Sequence, residues 1–174
     1  MAFLLFGLIG ILFTIGLLLI AVLVILRYYF AHKKQPVQIQ PQGEEQRIIL
    51  PLRLQACERI VLFLDRIAID NLIMRINRPD MTAAQLQAAM VSAIREEFEY
   101  NLSQQLYITP KSWNLVRNAK EETIRTINTA SIRVPENSNS SEMVRILLEL
   151  LLSEEKSPVD VALEEVKKEV QKSF

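Results

Sequence analysis

The sequence predicts an all-α protein, with a single N-terminal transmembrane helix followed by a cytoplasmic helical bundle of about five helices. Three observations carry this expectation. The first 26 residues contain no charged side chain, and the first charge after them is Arg27. From Glu44 to Phe174 there is no glycine, the residue that hairpin turns of a β-rich domain usually require. Every proline of that region (Pro51, Pro79, Pro110, Pro135 and Pro158) sits where a helix is expected to begin or end.

Ala2 to Leu26 is apolar apart from three glycines and Thr14. As a helix it would span roughly 37 Å, against a bilayer core of about 30 Å. Backbone groups in lipid must pair internally, so a helix is the expected form. A cleaved signal peptide would need positive charge ahead of a shorter apolar run and a small-residue cleavage site. The aromatic and basic cluster Tyr28, Tyr29, Phe30, Lys33 and Lys34 follows the run. By the positive-inside rule the N-terminus lies outside an inner (cytoplasmic) membrane and the rest of the chain is cytoplasmic. The expected partners are therefore the lipid bilayer, through residues 2–26, and a protein partner or a second copy. Gly7, Gly10 and Thr14 share a small-residue face that would permit close helix approach.

The divisions expected are an anchor and juxtamembrane segment (1–32), a polar linker (33–46) and a helical domain (47–174). The linker holds Pro36, Pro41 and Gly43 among polar residues. The first cytoplasmic helix is expected from Pro51 to Asn77, with Leu54, Cys57, Val61, Leu64, Ala68 and Leu72 at helical spacing. Ile60, Phe63, Ile67 and Met74 widen its apolar face, and Arg78-Pro79-Asp80 ends it. The second starts after Thr82, which with Gln85 makes a capping box. Its buried side runs through Leu86, Met90, Ile94, Phe98, Leu102 and Leu106, and it ends near Tyr107. Thr109 caps the third, with Pro110 first inside and Trp113 in the core against the second helix. Ser140 or Ser141 caps a short fourth helix to Leu152, apolar nearly all round and read most simply as fully buried. Ser157-Pro158 opens the last, with Val159, Leu163, Val166 and Val170 on one side.

Equal numbers of acids and bases, 20 of each, argue against non-specific nucleic-acid binding, which needs a basic surface. The lone Cys57 cannot form an intramolecular disulfide, and with no histidine in the domain it lacks an activating base. The single His32 and single cysteine cannot assemble a zinc site. Glu96, Glu97 and Glu99 lack the Glu-x-x-His pattern of helical di-metal sites. There is no phosphate-binding glycine loop and no nucleophile elbow. No catalytic residue, cofactor or metal is expected. The candidate contact residues are Gly7, Gly10 and Thr14, the polar group Asn101, Gln104, Gln105 and Tyr107, and Leu148 and Leu151 on the fourth helix.

LRLQACERIVLFLDRI (52–67), IREEFEYNLSQQLYI (94–108) and the tryptophan at 113 together resemble an uncharacterised family of small bacterial single-pass membrane proteins. The resemblance covers most of residues 50–130. It implies the anchor-plus-helical-domain layout and no assigned activity. The functional expectation is a membrane-anchored cytoplasmic scaffold or accessory subunit acting through protein–protein contacts. The alternative is a helical ligand-binding or enzymatic module with a polar pocket inside the bundle.

Overall fold

The computed structural model describes residue 16 and residues 18–27, 42–153 and 155–172. Contacts divide the chain into two units, Met1–Gly43 and Glu44–Phe174. In the first, residues 18–27 are helical (α1) with exposed apolar side chains. Gly7, Gly10 and Thr14 lie outside the described residues, as does most of the apolar run.

Among the described residues no helix is long and apolar enough to cross a membrane. The stretch 18–27 reaches about 15 Å, half of a bilayer core. The single-pass inner-membrane placement expected for residues 2–26 is thereby overturned. The inside–outside orientation rested on that crossing and falls with it.

From Gln42 onward the elements are helices joined by short connections: α2 (Gln42–Ile67), α3 (Ile69–Ile76), α4 (Ala83–Asn101), a 3-10 helix η1 (Leu102–Leu106), α5 (Pro110–Arg133), α6 (Ser140–Ser153) and α7 (Pro158–Gln171). The sole β contact among the described residues is an isolated antiparallel bridge between Thr82 and Asn139. It pins the turn before α4 to the loop before α6 through Ala83 N–H to Ser138 O and Ser140 N–H to Met81 O, both 3.0 Å. Helix α5 packs against α4, α6 and α7, and α4 also meets α3 and α6.

The helix starts follow their expected chemistry. Thr82 and Gln85 form a reciprocal capping box, with bonds of 2.9 and 3.2 Å. Thr109 caps α5 ahead of Pro110, and Ser157 caps α7 ahead of Pro158. At α6 the cap is Asn139, whose Oδ1 accepts from Glu142 N–H at 3.2 Å. Ser140 instead points inward and donates to Arg78 O at 3.3 Å.

Three expectations are corrected. Helix α2 begins at Gln42, so Pro51 lies inside it and the last residues of the expected linker are helical. The expected single helix to Asn77 breaks at Ala68, which is extended at φ −56° and ψ 135°. Side chains from α3 reach the carbonyls beside the break: Asn71 Nδ2 donates at 2.9 Å to Asp65 O, which also accepts Ala68 N–H at 3.3 Å, and Arg75 Nη2 donates to Arg66 O at 3.2 Å. Met74 then faces solvent, 82% exposed. Finally, the end of the second expected helix tightens into η1. At 3.0 rather than 3.6 residues per turn, Leu102 and Leu106 leave the buried stripe below Phe98 and become 44% and 78% exposed.

The core is apolar and close-packed around Ile60, Phe63, Leu64, Leu86, Met90 and Ile127, all at 0–1% exposure. Phe98 bridges two aromatic neighbours. Its ring centroid lies 5.8 Å from that of Phe63 and 5.4 Å from that of Trp113, which it stacks at 21°. Lys120 Nζ sits 4.4 Å over the Phe98 ring centroid. Trp113 thus fills the α4–α5 contact, as expected.

Candidate functional site

The most organised polar group in the structure is a carboxylate that the helical periodicity did not single out. Glu169 lies three residues after Val166, within the apolar stripe of α7, and is buried. Its carboxylate accepts from Thr109 N–H (2.9 Å), Thr109 Oγ1 (2.8 Å), Ser112 Oγ (2.5 Å) and Arg53 Nη2 (3.1 Å). The first three come from the N-terminal turn of α5, where a negative charge is favoured by the helix dipole. Burial is the largest influence on this group and pushes its pKa up. The donated hydrogen bonds from Ser112, Thr109 and Arg53 together outweigh it and hold the carboxyl below the ordinary glutamate range. An acid inside an apolar stripe was the available sequence signal. This arrangement joins α2, α5 and α7 through one carboxylate.

Arg53 has a second role. Its Nε donates to Tyr107 O at 3.2 Å, which ties α2 to the segment after η1. Exposed apolar side chains stand in both segments that this tie joins. On α2, Ile49 lies one helical turn before Arg53 and three residues before Leu52, so it neighbours both on the helix surface. Ile49 and Leu52 are 47% and 41% exposed. On the η1 side stand Leu102, Leu106 and Tyr107, the last 38% exposed. Gln105 is exposed beside them and Gln104 is half-buried, with its Nε2 donating to Ser103 Oγ at 3.3 Å. Asn101 does not belong to this surface. It is buried, and its Nδ2 donates to Glu97 O at 2.8 Å within its own helix.

The fourth expected helix is α6, and it is amphipathic rather than fully buried. Met143, Ile146 and Leu147 face the core, Leu151 is half-buried, and Leu148 and Leu152 are 44% and 88% exposed. Its outer face carries a ladder in which Arg145 bridges Glu142 at 2.5 Å and also pairs with Glu149. Hydrogen bonding to Arg145 lowers the Glu142 pKa, and Glu142 in turn raises that of Arg145.

The acidic group on α4 is paired rather than open. Glu97 receives Arg66 at 2.7 Å and Arg75 at 3.4 Å in a shallow recess that also includes Glu96 and Tyr100. Neither Arg95 nor Asn101 lines this recess. A cleft of about 410 Å³ lies at the α2–α3 break, with Asp65, Asp70, Glu122, Thr123 and Asp160 among its walls. Among the described residues no three His, Cys, Asp or Glu side chains are placed to hold a metal ion. Cys57 is buried, and its thiol pKa is raised by burial first and by the Glu169 charge second. It stays protonated and non-nucleophilic at neutral pH.

The chain matches the family described as Family of unknown function (DUF7935) over residues 4–173, and it belongs to that family. No curated protein and no solved structure matches it.

Proposed function

We propose that this member of the DUF7935 family is a helical scaffold or accessory subunit that works by holding another protein at the η1 end of its bundle. The observation that carries the reading is the Arg53–Tyr107 tie, which joins two segments that each expose apolar side chains: Ile49 and Leu52 on α2, and Leu102, Leu106 and Tyr107 at η1. Clustered exposed apolar side chains with a polar rim are the usual mark of a protein contact surface. The occupant is an apolar protein segment whose polar edge hydrogen-bonds the amides of Gln104 and Gln105. The tie gives this surface a rigid base, because Arg53 is itself held by the buried Glu169. A pre-ordered surface loses less conformational entropy on binding.

The test compares the full chain with Leu106→Arg and, as a control elsewhere, Ser92→Arg. The same co-isolated protein must accompany the wild type and the control and be absent from the Leu106 variant. Equal recovery with all three chains overturns the reading.

A further inference from the structure

A second surface lies away from η1, between α2 and α7. It is a groove of about 390 Å³. Cys57 and Val166 are buried in it, and Leu54, Val61 and Val170 are half-buried along it. Glu58 stands exposed on the α2 wall and Lys167 exposed on the α7 wall. Neither side chain forms a salt bridge or a side-chain hydrogen bond among the described residues, although most neighbouring charges on α7 do: Glu165 pairs with Lys111, Glu164 with Lys156 and Glu169 with Arg53. Leu62, one turn beyond Glu58, continues the apolar strip at 55% exposure.

We infer that this groove is the contact face of a two-fold homodimer, in which Glu58 of each copy pairs with Lys167 of the other. The groove is self-complementary. In a two-fold interface, if residue i meets residue j, then j meets i. One acid and one base, left unbridged on opposite walls of one apolar groove, satisfy that condition with two identical ion pairs. The same rotation sets the Leu54–Val61 edge of each α2 against the other copy's groove. A partner of arbitrary sequence would have to supply the matching charges, whereas a second copy already carries them. The whole chain has 20 acids and 20 bases, so two copies meet without net repulsion.

The available face also sets the strength. Helix α7 is about 21 Å long, and two helices side by side present a face about 20 Å wide. That lies at the small end of specific interfaces, so the dimer is a weak, reversible one.

The experiment is sedimentation equilibrium of the full chain in density-matched non-ionic detergent, from about 1 to 200 µM, a span that brackets micromolar affinity. The expected result is a monomer–dimer equilibrium. Glu58→Lys alone and Lys167→Glu alone each weaken it at least about tenfold, and the double exchange restores it to within about threefold. Glu58→Gln, a milder change, weakens it less than Glu58→Lys. All variants keep the wild-type circular dichroism, because both side chains are exposed. A chain monomeric across the whole range overturns the inference. So does a dimer indifferent to the single reversals, or one that the double exchange fails to rescue. Leu106→Arg leaves this equilibrium unchanged, so the groove and the η1 surface stand or fall separately.

Discussion

Glu169 of α7 accepts the backbone N–H of Thr109 at 2.9 Å and thereby places a buried carboxylate on the first turn of α5. The two residues are 60 positions apart, so this bond joins the last helix to the middle of the domain. Through Arg53 the same carboxylate reaches α2. The order of the η1 surface follows from this junction, because the guanidinium that touches Tyr107 O is held in place by Glu169.

Glu169→Ala removes the acceptor of at least four donor groups, three of them on the first turn of α5, where Ser112 is buried. The expected loss is about 2–3 kcal/mol of unfolding free energy, the cost of leaving such groups unsatisfied. Urea denaturation followed by far-UV circular dichroism measures it. Glu169→Gln, which keeps one acceptor oxygen, loses less. A midpoint unchanged by the alanine variant contradicts the assignment.

Acid weakens the same junction. Because the folded pKa of Glu169 lies below the ordinary glutamate value, its contribution is fully present above that value. The contribution is lost as pH falls through the lowered folded value. The stability gap between wild type and Glu169→Gln therefore closes on acidification and is constant from weakly acidic to neutral pH. A gap that widens toward low pH would show that the shift has the opposite sign.

The break at Ala68 has its own signature. The N–H groups of residues 69–71 fall in the first turn of α3, where an α-helix leaves them without i−4 acceptors. Leu72 N–H is the first to be satisfied, by Ala68 O at 2.9 Å. Amide hydrogen exchange is expected to be faster at 69–71 than at 60–67, in the middle of the preceding helix segment. Uniform protection through residues 60–76 would restore a continuous helix. Asn71→Ala, which leaves Asp65 O with only the 3.3 Å bond from Ala68 N–H and removes a donor from Asp65 Oδ1, is expected to cost about 1 kcal/mol.

Phe63 is 1% exposed and meets Phe98. Phe63→Ala is expected to cost about 3–4 kcal/mol through lost burial and a residual cavity. The emission of Trp113, next in the stack, should move to the red in the folded variant as water reaches the ring. A loss under about 1 kcal/mol would mean that the site collapses around the deletion.

The parts of the fold written locally were readable in advance. Thr82 with Gln85, Thr109 with Pro110, and Ser157 with Pro158 mark helix starts by chemistry confined to four residues. What escaped was decided at a distance. Nothing at Ala68 breaks a helix; Asn71 and Arg75, on the far side, make the break tolerable by bonding the carbonyls beside it. Leu102 and Leu106 fit an α-helical stripe and leave it only because the chain tightens into η1 before Ile108, which is buried at 7% exposure. Asn101 groups by sequence with the amides of Gln104 and Gln105, yet its side chain bonds to Glu97 O of its own helix. Glu169 was visible as an acid in an apolar stripe, yet its partners lie 57 to 116 positions away.

The central claim is that the η1 end of the bundle seats another protein, and site-specific photo-crosslinking tests it most directly. A photoreactive residue replaces Leu106 in the full chain in its native cell, with a matched probe at Arg125 on the exposed side of α5. Leu106 is 78% exposed, so its replacement leaves folding within about 0.5 kcal/mol of wild type. The account predicts one discrete adduct with a different protein at position 106 and none at 125. No adduct at 106, the same adducts at both positions, or a 106 adduct made only of a second copy of this chain would contradict it.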